Sequence, residues 1–593
     1  MKSSFYLNER VYKERLRLTK VLKYLKGSAI VCAILAPIAM CLEVAMDLLQ
    51  PTLLSSIIDV GVANGDLNYV LSVGIKMIIA AIIGLFAGSA CSFFAAVASM
   101  KLGEGVREGL FEKIQTLSFL ELDKLKTSSL ITRLTNDVTQ LQMMMNMALR
   151  MMVRAPLTAI GGLIMATILS PKLASIFLIA LPIILVSIMF IIKKSLPLFT
   201  SVQEKIDNIN TVMRESILGV KVIKAFAIES TQGERFNEAN DNLTNESIAS
   251  QNMNLILWPI ATLIMNLTVV AVLWFGGNMV NVGDLEIGKI MAFINYLLQI
   301  MGSVVMVINI MLTFSRAKAS ANRIDDVFKT ETSIKDKEEA IEVSNFDIEF
   351  KDVYFRYNEH SENVLEGISF KAKQGETIGI IGSTGCGKSS FVNLIPRLYD
   401  ATEGEILIGG VNIKDISIRQ LRENIGIVLQ ENILFGGTIE SNLKFGNENA
   451  NEEDINSSAI DAQAYEFIMN KDGKYQSEVE QRGKNLSGGQ KQRLSIARTL
   501  IRYPKIFIMD DSSSALDMAT EAKLQNSIKN RMKESTVLVI AQRISGVMDA
   551  DKIIVMNDGK ISDIGKHNEL LKRNEIYRSI AVSQLGEEVL KVV

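Results

Sequence analysis

The stretch ETIGIIGSTGCGKSS, residues 376–390, decides the fold of the second half of this chain. Its first part, residues 376–381, has the β-branched and apolar character of a buried strand. It leads into a loop that matches GxxxxGK[ST] in a strand–loop–helix setting: Gly382-Ser383-Thr384-Gly385-Cys386-Gly387-Lys388-Ser389-Ser390. We predict that its backbone N–H groups wrap phosphate oxygens, that Lys388 reaches the β- and γ-phosphates, and that Ser389 ligates Mg²⁺. The alternative is a chance glycine-rich turn.

A second run supports this prediction. Four apolar residues precede two acids in Ile506-Phe507-Ile508-Met509-Asp510-Asp511, a pattern typical of a buried strand that delivers a carboxylate to a metal. We therefore predict Asp510 as the Mg²⁺ partner. From residue 346 onward, short β-branched runs alternate with helical stretches, which indicates an α/β domain with a largely parallel sheet.

The composition indicates a chain divided between lipid and water. Of the 593 residues, 48% are hydrophobic and 22% are charged. The net charge of −2 gives no basic field for nucleic acid. The four cysteines exclude a disulfide scaffold, and the two histidines argue against a histidine-built metal site.

Almost all long apolar runs lie before residue 315. Residues 173–192 carry no charge and are long enough to cross a bilayer core of about 30 Å as a helix. We predict six spans, near residues 28–60, 70–100, 151–169, 173–192, 255–280 and 290–314. A soluble ATPase is excluded by these spans.

Loop charges predict the orientation of the spans. Connections 61–68 and 281–288 contain no Lys or Arg, whereas connections 101–145 and 193–254 contain many. Because Lys and Arg concentrate in cytoplasmic loops, we expect both termini and the two long connections to be cytoplasmic, in a multi-pass protein of the plasma membrane. The long connections are expected to be helices that continue beyond the membrane.

The sequence between the phosphate loop and the paired acids points to a family. It reads Asn485-Leu486-Ser487-Gly488-Gly489-Gln490, and Leu-Ser-Gly-Gly-Gln at the start of a helix is the signature of ATP-binding cassette (ABC) proteins. Ser487 is also an ordinary helix N-cap. Over essentially its whole length the chain resembles an ABC transporter of the exporter type. The resemblance implies ATP and Mg²⁺ as cofactors.

The resemblance also implies roles for individual residues. Tyr357 would stack on adenine, and Gln430 would join Ser389 and Asp510 at Mg²⁺. The loop 514–517, which ends in Asp517, would cross between paired domains. The signature residues would complete a nucleotide site on another domain: Ser487, Gly488, Gly489 and Gln490. Since the chain carries one cassette, we expect it to pair with a second half-transporter.

Four segments follow from this reading. Residues 1–27 form a cytoplasmic N-terminal elbow segment, and residues 28–315 form the six-helix membrane domain. Residues 316–345 are a charged linker, and residues 346–593 form the nucleotide-binding domain. Two stretches, near residues 119–126 and at residues 219–226, resemble the family's coupling helices; the alternative is ordinary helical surface.

Two positions depart from the family pattern. Asp511 stands where a glutamate that handles the attacking water is expected, and Gln542 stands where a histidine is expected. The side chain of aspartate is shorter than that of glutamate by about 1.5 Å. Glutamine, unlike histidine, cannot become a cation. The pattern resembles the catalytically weak subunit of bacterial heterodimeric multidrug exporters. The alternative is a homodimeric exporter with slow hydrolysis.

Two acids in the first span are candidates for substrate contact. Glu43 and Asp47 are four residues apart and share a helical face. They would either contact cationic substrates, or act as a gate, or lie solvated near the outer leaflet. For the cargo we expect amphipathic drugs or lipid-like compounds. A lipid or peptide exporter and a regulatory, channel-like subunit are the alternatives.

Overall fold

The computed structural model describes residues 22–337, 339–358, 360–511 and 517–586. They divide into two compact units. The helical unit contains the described residues up to 115 together with 127–329, and the α/β unit contains 116–126 and the described residues from 330 onward. The predicted fold class, membrane helices followed by an α/β domain, is confirmed.

The helical unit contains six helical segments that are long and apolar enough to cross a membrane, within the described part of the chain. Its α-helices, in chain order and leaving α3 for the other unit, are α1 (Ser28–Ser56), α2 (Leu67–Gln115), α4 (Thr127–Thr132), α5 (Val138–Leu169), α6 (Pro171–Leu218), α7 (Val220–Phe226), α8 (Glu229–Leu255), α9 (Leu257–Asn281) and α10 (Ile287–Lys329). Large apolar side chains such as Phe86 and Leu178 remain 69% and 77% exposed. Exposed apolar surface on this scale suits lipid rather than water.

Small residues allow close packing inside this unit. Along α2, the buried Cys91, Ala95 and Ala98 lie in one cluster with Met40 and Val44 of α1. Small side chains let helix backbones approach closely, and the resulting van der Waals packing favours helix association in lipid.

Helix α10 is held near both ends by aspartates that lie in short π-helices. Asp59, in the π-helix Ile57–Val62, accepts a 2.5 Å hydrogen bond from the amide of Gly288. Asp137, in the π-helix Arg133–Asp137, accepts bonds from Ser320 at 2.9 Å and from the Arg323 Nε at 2.8 Å.

The linker predicted over residues 316–345 stays a prediction, and its first part is helical. Helix α10 continues to Lys329 because its apolar residues recur on one face. Ala317, Ala321, Ile324 and Val327 are all at most 1% exposed, and their spacing is that of a buried helical stripe. The other segment boundaries stay predictions.

The α/β unit is built on a six-stranded sheet, with two small antiparallel sheets beside it in the same unit. The strands of the three sheets are β1 (Ile348–Phe355), β2 (Leu365–Ala372), β3 (Thr377–Gly382), β4 (Glu403–Ile408), β5 (Val411–Asn412), β6 (Ile425–Val428), β7 (Gly437–Thr438), β8 (Glu478–Val479), β9 (Ile506–Asp510), β10 (Thr536–Ile540), β11 (Lys552–Asn557) and β12 (Lys560–Gly565). The order in the six-stranded sheet is β12-β11-β3-β10-β9-β6, and its strands from β11 to β6 run parallel. Their carboxyl ends therefore meet at one edge, which receives the loops after residues 382, 428, 510 and 540.

The helices of this unit include a segment from early in the chain. They are α3 (Phe119–Leu125), α11 (Lys388–Leu394), α12 (Ile418–Asn424), α13 (Ile439–Lys444), α14 (Glu452–Asp461), α15 (Tyr465–Met469), α16 (Gly488–Leu500), α17 (Met518–Arg531), α18 (His567–Arg573) and α19 (Glu575–Leu585). Helix α3 starts with a reciprocal cap between Ser118 and Glu121. The hydroxyl of Tyr399 donates a 2.8 Å hydrogen bond to Asp123 of this helix.

Candidate nucleotide-binding site

The predicted phosphate loop follows β3 directly, and its backbone can be formed only by glycine at certain positions. Gly387 has a φ of 95°, and a Cβ there would lie 2.9 Å from the Val364 carbonyl oxygen. Gly382 is equally restricted, since a Cβ would lie 2.2 Å from the Met556 carbonyl oxygen. The Lys388 ammonium donates to the carbonyls of Gly382 and Ser383 at 2.9 and 2.7 Å, so it lies over the loop. Gly385 also has a positive φ, and Cys386 is buried.

Asp510 and Ser389 form the expected pair at the carboxyl edge of the sheet. The Ser389 hydroxyl donates a 3.0 Å hydrogen bond to Asp510, whose side chain is buried. Burial raises the pKa of Asp510, and the neighbouring charge of Asp511 raises it further, against the lowering effects of Ser389 and Lys388. A hydroxyl beside a carboxylate supplies the oxygen ligands that Mg²⁺ prefers.

These ligands fit a metal that arrives with a nucleotide. Within the described ranges there is no group of three or more His, Cys, Asp or Glu side chains that could hold a metal alone. Phosphate oxygens would complete the coordination, and the bound ion would neutralise charge on the phosphates. Gln430, the third predicted ligand, lies just beyond β6 with an exposed side chain.

The two unusual residues contact each other. The side-chain amide of Gln542, just after β10, donates a 2.5 Å hydrogen bond to the Asp511 carboxylate. Asp511 has a φ of 45°, and its amide donates to the Ile540 carbonyl at 3.1 Å. Burial raises the pKa of Asp511, while the bond from Gln542 and the charge of Lys388 lower it.

Gln584 is a site residue that the sequence analysis missed. From helix α19 its side-chain amide donates to the Gln542 carbonyl at 2.7 Å. Its side-chain oxygen accepts from the Ile544 amide at 2.8 Å. One carboxamide thus fixes the backbone on both sides of Arg543. No motif marks this glutamine, because its position depends on how the C-terminal helix packs.

Tyr357, the aromatic residue expected to stack on adenine, contacts the helix that follows the phosphate loop and a second tyrosine. The Tyr357 hydroxyl shares a 2.9 Å hydrogen bond with Ser390 of α11. Its ring lies edge-on to Tyr399 with centroids 5.2 Å apart, and Tyr399 in turn contacts Phe119 of α3 at 6.1 Å. An unbroken line of side chains therefore joins the phosphate-loop helix to α3.

The signature residues form a helix N-terminus. Ser487 and Gln490 cap each other reciprocally, with the Gln490 amide bonded to the Ser487 hydroxyl and the Ser487 amide bonded to the Gln490 side chain. Ser487 and Gly488 are exposed, and Gly489 is partly exposed. Among the described residues no hydrogen bond joins them to the phosphate loop. An exposed signature is what a site completed on another domain requires.

The loop expected to cross between domains is only partly visible. Residues 514–516 lie outside the described residues, while Asp517 caps α17 by accepting from the Thr520 amide at 2.9 Å. Hydrogen bonds from the Thr520 backbone and hydroxyl lower the pKa of Asp517.

In the helical unit, Glu43 and Asp47 share one cation. Arg154 of α5 donates to Glu43 at 2.5 Å and to Asp47 at 2.9 Å. Neither acid had a partner that was predicted from the sequence. The three side chains line a cavity of about 890 Å³ between α1, α2 and α5.

The arrangement is that of a membrane-spanning unit joined to a phosphate-binding α/β unit. Residues 33–304 match the family model of the ABC transporter transmembrane region, and residues 365–514 match that of the ABC transporter. The chain is 41% identical to the uncharacterized ABC transporter ATP-binding protein YfiB of Bacillus subtilis (strain 168), with 96% of this chain and 99% of that protein covered. The chain belongs to the ABC transporter family, as an exporter half-transporter with a membrane domain and an ATPase domain.

Other relatives carry more specific names. The chain is 34% identical to the putative multidrug export ATP-binding/permease protein YgaD of Bacillus subtilis (strain 168), over 83% of this chain and 85% of the relative. It is 32% identical to an ATP-dependent lipid A-core flippase of Syntrophus aciditrophicus (strain SB), over 84% of each. The structure of a bacterial Atm1-family ABC exporter with ATP bound has the same fold, with a TM-score of 0.79, 24% identity, and coverage of 95% of this chain and 100% of that chain.

Proposed function

We propose that this chain is one half of a heterodimeric exporter and that its own nucleotide site binds ATP but hydrolyses it slowly. The binding parts are those described above: the loop 382–390 for the phosphates, Tyr357 for adenine, and Ser389, Asp510 and Gln430 for Mg²⁺. The two positions at which the family has its catalytic residues are occupied here by Asp511 and Gln542.

The hydrogen bond between Gln542 and Asp511 carries the proposal. A water-activating carboxylate must reach the water that attacks the γ-phosphate. The aspartate side chain is shorter than that of glutamate by about 1.5 Å, and a misplacement of about 1 Å costs about a hundredfold in rate. One carboxylate oxygen is also occupied by the Gln542 amide at 2.5 Å.

Gln542 cannot supply the charge that a histidine would. A carboxamide donates hydrogen bonds but never becomes a cation, so it adds little to the stabilisation of charge that develops on the γ-phosphate. Both changes therefore slow hydrolysis and leave the binding groups in place.

The signature residues Ser487, Gly488, Gly489 and Gln490, with Asp517, complete the partner's nucleotide site in this proposal. Their exposure on the α/β unit supports a role across a subunit interface. A partner with Glu and His at the two altered positions would then hydrolyse ATP at the site that this chain's signature closes.

The cargo is proposed to be amphipathic drugs or lipid-like compounds. Relatives named for multidrug export and for a lipid A-core flippase support an amphiphile. The density of Lys and Arg in connections 101–145 and 193–254 supports a cytoplasmic ATPase domain and cytoplasmic termini in the plasma membrane.

The direct test is the rate of ATP hydrolysis by the purified chain and by the same chain co-expressed with a second half-transporter. We expect saturable ATP binding but slow turnover alone, and faster turnover in the pair. Vigorous hydrolysis by the lone chain, with two equivalent sites, favours the alternative of a homodimeric exporter.

A further inference from the structure

The cavity between α1, α2 and α5, here called the charged chamber, contains four charged side chains inside the helical unit. They are Glu43, Asp47, Arg150 and Arg154. Charged residues within membrane-spanning segments are costly and rare, and they face protein or water-filled cavities where they have a function. The roles of these charges in cargo binding depend on which of them already have partners.

Both acids of the charged chamber bond to the same arginine. Arg154 bonds to Glu43 at 2.5 Å and to Asp47 at 2.9 Å. The backbone of α2 makes room for this arrangement at Gly88, where a Cβ would lie 2.8 Å from the Glu43 carboxylate. The two acids and Arg154 together carry a formal charge of −1, and Arg150 brings the four side chains to a net charge of zero.

Arg150 differs from Arg154 because no acid among the described residues bonds to it. It lies one helical turn before Arg154, on the same face of α5, and it lines the same chamber. Within the described part of the chain it makes no hydrogen bond or ion pair. Its guanidinium has five N–H donors in a planar fork that matches carboxylate and phosphate oxygens.

The remaining walls suit an amphiphile. Leu85 adds apolar surface, while Gln50, Ser89 and Ser92 add neutral hydrogen-bonding groups. We propose that the charged chamber binds the anionic group of an amphiphilic cargo, a phosphate, sulfonate or carboxylate, at Arg150. This rests on the proposed export of amphiphiles. Glu43 and Asp47 then act as positioning residues that hold Arg154 and set the charge of the chamber.

A site for anions and a site for cations predict opposite effects on ligand binding when the charge of an acid is removed. If the acids bound a cationic cargo, removing their charge would weaken binding. In the charged chamber, removing the charge of Glu43 loosens Arg154 and makes the chamber more positive. Binding of an anion is therefore expected to become tighter.

The test uses the full-length chain in phosphatidylcholine nanodiscs without ATP. The probes are dansyl-labelled dodecyl phosphate and its dodecyltrimethylammonium counterpart, each corrected for partition into empty nanodiscs. We expect Arg150→Gln to weaken phosphate-probe binding at least tenfold and Arg150→Lys to weaken it less. We expect Glu43→Gln to strengthen it. Arg235→Gln, at an exposed ion pair with Glu215, is the matched control without effect.

Three results would overturn the proposal: no saturable binding of the phosphate probe, undiminished binding by a folded Arg150→Gln protein, or saturable binding of the ammonium probe that Glu43→Gln abolishes. A thermal unfolding curve for each variant separates loss of binding from loss of fold. Because no nucleotide is present, these outcomes are independent of whether hydrolysis is slow or the partner is a different chain.

Discussion

The side-chain amide of Gln542 and the carboxylate of Asp511 are joined by a 2.5 Å hydrogen bond, so the two residues that depart from the family pattern are direct neighbours. A substitution at one of these residues alters the hydrogen bond that the other one makes. Their effects are therefore expected to be coupled rather than additive.

Restoring both residues should restore hydrolysis. We expect Asp511→Glu with Gln542→His to raise turnover at this site by about tenfold to a hundredfold in the co-expressed pair. The single changes should each recover much less. Phosphate release by the two single variants and the double variant gives the measurement, and an unchanged rate in the double variant contradicts the prediction.

Gln584 should matter for turnover rather than for ATP affinity. It holds the Gln542 carbonyl and the Ile544 amide at 2.7 and 2.8 Å. In the Asp511→Glu, Gln542→His background, Gln584→Ala is expected to lower kcat about fivefold, equivalent to about 1 kcal/mol, with KM for ATP unchanged. Ser583→Ala is the neighbouring control. An equal effect of both variants would mean that the helix alone matters.

Tyr399 should link ATP hydrolysis to the early helix α3. Burial, then its hydrogen bond with Asp123, raises the pKa of Tyr399, so the hydroxyl stays protonated and remains a donor. Tyr399→Phe removes one hydrogen bond, worth about 1 kcal/mol, and keeps the ring contacts with Phe119 and Tyr357. We expect basal hydrolysis to persist and stimulation by cargo to fall. The matched change Asp123→Asn should have a smaller effect, since an amide oxygen still accepts.

The buried acids should make the nucleotide-free protein less stable as the pH rises. Burial raises the pKa of Asp510 above its ordinary value near 3.8. A raised carboxyl pKa contributes stability that is present at low pH and is lost as the pH passes through the raised pKa. Asp510→Asn should therefore raise the unfolding temperature at neutral pH and flatten its pH dependence. A lower unfolding temperature would show that Ser389 and Lys388 outweigh burial.

The Asp137–Arg323 pair should be worth far more than an exposed pair. Asp137 is buried and bonded to Arg323 and Ser320. Arg323→Met leaves the buried Asp137 carboxylate with the Ser320 hydroxyl but without its half-exposed cation, which costs about 1–3 kcal/mol. Arg235→Met, at an exposed pair, should cost at most about 1 kcal/mol. Unfolding in detergent, followed by circular dichroism, compares the two.

Local motifs predicted the elements that they themselves encode. The strand before the phosphate loop, the strand that ends at Asp510 and the helix that Ser487 caps all appear as expected, because neighbouring residues determine them. Arg154 and Gln584 were missed as partners, since they contact residues 111 and 42 positions away. Such contacts arise from packing between helices or between a helix and a loop, which no short sequence pattern records.

Helix α3 groups with the α/β unit although its neighbours in sequence, residues up to 115 and from 127, belong to the helical unit. The polypeptide consequently passes between the units three times, at residues 115–116, 126–127 and 329–330. The two units are therefore joined by three covalent connections, which lead to α2, α4 and α10. A break in the chain at any one of these connections would leave two that still join the units covalently.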